Sequence, residues 1–171
     1  MSRDRVRTAV ENASAYLSEH PQEARATDSE ATATVIDGLV VRVTGTDGSE
    51  ITTDMVPSVG GTASAPSPGW LLRAAEASCV ATLIAMRAAM LDVALDSLEV
   101  TVDSVSDDRG LLGIADDVPA GPLTGRVRVR ISSSGTDAAQ LAEIARWGVA
   151  HCPVCDAVER AVPITTEVVI G

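Results

Sequence analysis

The chain has 171 residues, 46% of them hydrophobic, which is enough for one domain with a substantial core. Thirteen Lys and Arg stand against 24 Asp and Glu, and the net charge of −11 excludes the basic footprint that nucleic acids and anionic membrane surfaces require. There is no Phe, one Tyr and two Trp, so the core must be built from aliphatic side chains. The first residues, MSRDRVRTAVENA, lack an apolar signal-peptide core, and a cytoplasmic protein is expected. Three cysteines in that setting read as free thiols, redox groups or ligands rather than a disulfide frame.

Residues 3–20 predict an amphipathic helix with Val6, Val10, Ala13 and Leu17 on its stripe, stopped by Pro21. With the polar linker that follows, residues 1–30 form an appendage to a main domain spanning 31–171. From Ala31 to Met55 the chain turns to β-branched residues, with turn signals at Asp37-Gly38 and Asp47-Gly48. The second predicts a hairpin. A small-residue loop, Ser58 to Pro68, leads into the longest apolar stretch, PSPGWLLRAAEASCVATLIAMRAAML. Ser67 followed by Pro68 is an N-cap and first-turn pair. Leu72, Ala75, Cys79, Leu83, Met86 and Met90 recur at helical steps, and Val80, Ile84 and Leu91 make the opposite side apolar too. A helix apolar nearly all round is expected at the centre of a core, buried on most sides. It is short and interrupted by charge for a membrane span.

Ser97 to Val105 and Thr124 to Ile131 alternate with a period of two. They predict antiparallel neighbours with Arg126, Arg128 and Arg130 opposite Glu99 and Asp103, separated by a long loop from Ser106 to Pro122. Asp137 to Ala150 predicts a second helix, capped by Thr136 or Asp137, with Leu141, Ala145, Gly148 and Cys152 along one face. In HCPVCDAVERAV, Pro153 stops that helix and opens another, with Cys152 as its N-cap. A last strand is expected over Pro163 to Ile170. Strands and helices are segregated, so the fold class is α+β, a mostly antiparallel sheet packed on a long central helix.

The chemistry lies in the thiols. Unpaired N–H groups at a helix start favour a thiolate at Cys152 or Cys155. Cys79 taken alone reads as a small buried hydrophobe. Three pairings remain open: a Cys-Pro-Val-Cys redox motif, although it follows a helix and not a strand; a Cys₃His zinc set of Cys79, His151, Cys152 and Cys155; and a peroxide-reducing pair of Cys79 with a later cysteine. Trp70, Leu72, Met86 and Trp147 are candidates to line an apolar pocket, with core packing as the alternative.

PSPGWLLRAAEASC before an apolar helix, and AHCPVCDAV about seventy residues later, resemble the OsmC/Ohr family from roughly Ala31 to the end of the chain. The resemblance implies an intertwined homodimer with active sites at the subunit interface. It implies a thiol-dependent peroxidase without cofactor or metal that reduces organic hydroperoxides in oxidative-stress defence. Cys79 would be the peroxidatic thiol and Cys152 the resolving one, re-reduced by an external thiol or dithiol. Two departures stand out. Gly69 occupies the position of the family's Glu, and no Arg lies between Ile51 and Trp70, leaving Arg42, Arg73 or Arg87 to support a thiolate. Cys155 lies outside the family pair and could resolve Cys79, bond to Cys152 or take no part. Two other classes fit these departures: a small-molecule-binding or interaction protein on the same fold, and a Cys/His metal-binding protein.

Overall fold

The computed structural model describes residues 3–171. Their order is α1 (Arg3–Glu19), β1 (Ala31–Asp37), β2 (Val40–Gly45), β3 (Glu50–Thr53), α2 (Pro68–Met90), β4 (Ser97–Val105), α3 (Asp108–Leu111), β5 (Thr124–Ser132), α4 (Ala138–Ala150) and α5 (Pro153–Glu159). The chain divides into two compact units. One takes the chain up to Arg7, Glu76–Val102 and Arg126–Gly171; the other takes Thr8–Ala75 and Asp103–Gly125.

The first unit holds the aliphatic core. Val80, Ile84 and Ala88 of α2 are buried with Val93, with Leu141 and Ile144 of α4, and with Cys152 and Cys155. Leu98, Val100, Val127, Val129 and Ile131 pack on this cluster from the inner face of the β4–β5 pair. The pair is antiparallel: Asp96 N donates to Ser132 O, and at the other end Leu123 N donates to Val105 O. Arg130 meets Glu99 at 3.0 Å on the outer face, as the alternation predicts. Asp137 caps α4 by accepting from Gln140 N.

Both faces of α2 are apolar, and the sequence pattern cannot choose between them. The structure buries Val80, Ile84, Ala88 and Ala89. On the stripe that the spacing singles out, Leu72 and Ala75 are exposed and Cys79, Leu83, Met86 and Met90 are half-buried. The helix is therefore not buried on most sides within one chain. Contact with α4 decides the face. A Cβ on Gly148 would stand 2.9 Å from Ile84 N and 3.1 Å from its Cα, and closer still to Cγ1, so only glycine lets α4 approach the α2 backbone so nearly. By length and composition α2 is long and apolar enough to cross a membrane; its face of Val80, Ile84, Ala88 and Ala89 is buried within the first unit. The helix ends at Met90, and in the turn beyond it the left-handed φ of 58° at Asp92 lets Val93 N return to Ala88 O at 2.8 Å. Arg3 and Arg7 reach the Asp92 carboxylate at 3.0 and 3.1 Å and tie the first turn of α1 to this corner. Of the α1 stripe, Val6 and Val10 are half-buried while Ala13 and Leu17 are exposed.

In the second unit β1, β2 and β3 form an antiparallel meander, turned at Gly38 (φ 53°) and Gly48 (φ 84°). Beyond β3 the loop folds around Asp54, which is buried. Its carboxylate accepts from the N–H groups of Met55, Thr62 and Ser64 and from the hydroxyls of Thr62 and Ser64. Ser67 caps α2 by accepting from Trp70 N. The expected strand at Pro163–Ile170 does not form. A period-two pattern makes a strand only when another strand supplies the ladder, and this segment runs unpaired with Ile164, Val168, Val169 and Ile170 at least three-quarters exposed.

Replacing Gly148 by Ala should cost a net ~1–2 kcal/mol of stability, because overpacking outweighs the gain in helix propensity. Chemical unfolding measures it. The Thr62 hydroxyl and the Ser64 N–H lead in holding the Asp54 carboxyl well below the usual carboxylate range. Its folded pKa is depressed, so its stabilisation is complete above about pH 4 and is lost as pH falls toward the folded value. Asp54→Asn should therefore lower Tm at neutral pH and flatten the acid-unfolding limb below about pH 4.

Candidate functional site

The three cysteines meet in the first unit. Cys79 lies on the flank of α2, one residue before the fully buried Val80, and is half-buried. Pro153 has no N–H to continue α4, so the chain breaks at His151 and restarts as α5. Cys152 takes the extended conformation that a following proline favours (φ −77°, ψ 111°) and becomes the N-cap. Its Sγ accepts from Cys155 N at 3.3 Å. Cys152 is 1% exposed and Cys155 5%. The Cys79 and Cys152 thiols also share a hydrogen bond, and all three cysteines are free.

Cys152 is the common acceptor of this cluster. Burial works against its charged form most strongly. Hydrogen bonds from the Cys155 thiol and N–H, from the Cys79 thiol and from Val154 N–H outweigh it, and its pKa is lowered below the usual thiol value. Cys79 is raised, first by burial and then by donating its proton toward Cys152. Cys155 is pushed up to about 12 by burial, by its hydrogen bond to Cys152 and by the negative charge of Cys152, with Glu76 adding to it. Cys152 is therefore the most acidic of the three thiols, with the proton of Cys79 beside it, and the two titrate as a pair.

The other candidates are distributed as follows. Arg42 stands exposed on β2 opposite Thr34 and Thr52. Arg73 reaches Ser104 Oγ at 3.3 Å. Arg87 lies over the Trp147 ring at 5.0 Å and pairs with Glu143 at 3.6 Å. Trp147 stacks on His151 with ring centres 4.0 Å apart, and His151 Nδ1 faces the Trp147 carbonyl at 2.8 Å. This turns the imidazole to its own helix end. Among the described residues no group of three or more His, Cys, Asp or Glu is arranged to hold a metal ion, so the Cys₃His zinc set is not assembled. In the second unit, Trp70 lines a cleft of about 360 Å³ and Leu72 one of about 420 Å³, and Arg73 borders both. Met86 remains half-buried on α2 in the first unit. The Asp54 hub escaped the sequence reading, because its partners lie eight and ten residues away in a loop without periodicity.

A segregated α+β fold with three free thiols gathered at the junction of two helices defines a thiol protein of the helix-on-sheet class. The sequence model of OsmC-like proteins matches residues 61–167, and the chain belongs to that family. No curated protein sequence matches it. It is similar in fold to an OsmC-like protein from Mycoplasma pneumoniae, at 16% identity over 80% of this chain and 91% of the other, TM-score 0.68. It is similar to a putative osmotic stress induced and detoxification response protein from Psychrobacter arcticus, at 20% identity over 78% and 90%, TM-score 0.61. An organic hydroperoxide resistance protein OsmC from Legionella pneumophila matches at 18% identity over 78% and 90%, TM-score 0.56. At these identities the likeness establishes the fold.

The raised Cys155 pKa has a consequence at high pH. Between about pH 9 and 12 the unfolded thiol is ionised while the folded one keeps its proton, so stability falls as pH rises through that window. Unfolding experiments should show a loss approaching ~1.4 kcal/mol per pH unit per retained proton. Cys155→Ser should reduce that slope.

Proposed function

We propose that the protein is a thiol-dependent peroxidase that reduces organic hydroperoxides, with Cys79 as nucleophile and Cys152 as resolving thiol. The observation that carries this reading is the hydrogen-bonded Cys79–Cys152 pair. Cys152 is the acidic member but is almost wholly enclosed, whereas Cys79 is half-buried and open to a small oxidant. The Cys152 thiolate takes the Cys79 proton, and the Cys79 sulfur attacks the outer peroxide oxygen. The O–O bond breaks, Cys79 becomes a sulfenic acid, and the alkoxide leaves and takes a proton from solvent, while Cys152 keeps the proton that later departs with the water. The Cys152 sulfur then attacks the Cys79 sulfur, water departs and a disulfide forms. An external thiol or dithiol restores both thiols.

The family and the fold likeness to proteins described as organic hydroperoxide resistance proteins support this assignment. The enclosed thiol cluster supports it chemically, because a carbon-rich peroxide suits an apolar surround better than hydrogen peroxide does. Trp70 and Leu72, each on a cleft of the second unit, are retained as proposed pocket residues. Arg42 is retained as a proposed thiolate support, and Met86 and Trp147 as further pocket residues. The working form is a cytoplasmic homodimer of the 31–171 domain, with residues 1–30 as its appendage. A single chain leaves Val35, Ile36, Trp70, Ile164, Val168 and Ile170 at least half exposed, which is apolar surface for a second copy to cover.

Reduced protein treated with one equivalent of cumene hydroperoxide should lose two thiols per chain rapidly, and faster than with one equivalent of hydrogen peroxide. Cys79→Ser should slow peroxide consumption by more than ~10²-fold. The rate should follow an apparent pKa below the usual thiol value, and Cys152→Ser should shift it upward. Retention of the wild-type rate in Cys79→Ser would exclude this assignment and favour a binding protein on the same fold. Sedimentation should give the mass of two chains.

A further inference from the structure

Two thiols suffice for the peroxide chemistry, yet the structure holds a third against them. Cys155 is 5% exposed, and its N–H donates to Cys152 Sγ at 3.3 Å. Its side chain also hydrogen-bonds to Cys152, so Cys152 has a sulfur neighbour on α2 and another one turn along α5. The two α5 cysteines face the same core cluster, to which Cys79 and Val154 pack. A cysteine kept only for packing would have no need to stand at the one sulfur that the proposed reaction converts into a disulfide.

We propose that Cys155 is a third redox thiol, which takes over the disulfide formed at Cys152 and returns Cys79 to its reduced state. This rests on the peroxidase reading above. In the step, Cys155 Sγ attacks Cys152 Sγ of the Cys79–Cys152 disulfide. The Cys152–Cys155 bond forms, the Cys79–Cys152 bond breaks, and its electron pair leaves on Cys79, which takes the proton given up by Cys155. One disulfide is exchanged for another, and no further oxidant or reductant enters.

The cluster also sets the order of events. In the reduced protein, burial and the charged Cys152 keep the Cys155 proton in place, so Cys155 does not compete for peroxide. Once Cys152 is in a disulfide its negative charge is gone, and Cys155 is released from that influence. Cys79 is then free to meet a second peroxide, so each chain accepts two oxidising equivalents before an external thiol is needed. The second ends as a Cys79 sulfenic acid.

The test treats the reduced full-length protein with one equivalent of cumene hydroperoxide, quenches in acid, alkylates and maps the peptides by mass spectrometry. The expected product is a Cys152–Cys155 disulfide with Cys79 alkylated, preceded in time by Cys79–Cys152. Wild-type protein should consume two equivalents of peroxide per chain without reductant. Cys155→Ser should consume one and stop at Cys79–Cys152, and Cys155→Ala, which brings no polar group into the core, should behave alike. Persistence of Cys79–Cys152 in the wild type, with Cys155 fully alkylated, would overturn the proposal. So would formation of Cys152–Cys155 at the wild-type rate in Cys79→Ser. Failure of the Cys155 variants to form Cys79–Cys152 would instead remove the peroxidase reading, and the relay with it.

Discussion

The close approach of α4 to α2 at Gly148 and Ile84 is the constraint on which the thiol cluster depends. Cys79 lies five residues before Ile84 on one helix, and Cys152 lies four residues after Gly148 on the other chain segment. Neither cysteine has any sequence-local reason to meet the other. The packing of Val80, Ile84 and Ala88 with Leu141 and Ile144 fixes the two helices, and Pro153 then turns the chain so that Cys152 faces the junction. A side chain at position 148 would separate the helices and with them the thiols.

The electrostatics of the cluster follow from its enclosure. Burial alone disfavours all three thiolates. Val154 N–H reaches both Cys79 and Cys152, but the Cys155 and Cys79 thiols donate to Cys152, so the protons are divided unequally: Cys152 is acidified while Cys79 and Cys155 hold theirs more tightly. The two arginines of α2 are engaged elsewhere, Arg87 with Trp147 and Glu143 and Arg73 with Ser104. A thiolate supported by neighbouring S–H and N–H donors is the alternative to one supported by a guanidinium; the Cys-Pro-Val-Cys turn supplies the N–H groups of Val154 and Cys155 and the Cys155 thiol, and α2 supplies the Cys79 thiol.

The second unit is organised by a polar centre. Asp54 collects five hydrogen bonds from Met55, Thr62 and Ser64, and shapes the loop that precedes α2. Ala63 is held there at a positive φ of 54°, and Gly61 lies so close to the Met55 carbonyl that a Cβ would not fit. The loop ends at the Ser67 cap, so the polar centre and the helix start lie on one short stretch of chain. The clefts bordered by Arg73, Trp70 and Leu72 open at this helix start.

Much of the architecture was legible in the sequence. The caps at Ser67, Asp137 and Cys152, the turns at Gly38 and Gly48, and the inward Val127, Val129 and Ile131 all follow from local rules, because capping, turn geometry and strand alternation act over two to four residues. The two cysteine motifs were equally visible, and with them the family. The tertiary structure alone decided which apolar face of α2 is buried, because both faces satisfy the same periodicity and only the partner helix distinguishes them. It alone left residues 163–170 unpaired, because a strand exists only with a neighbour. It also drew the Asp54 ligands together and placed three thiols in one cluster, because these contacts join residues brought near by packing and not by their spacing along the chain.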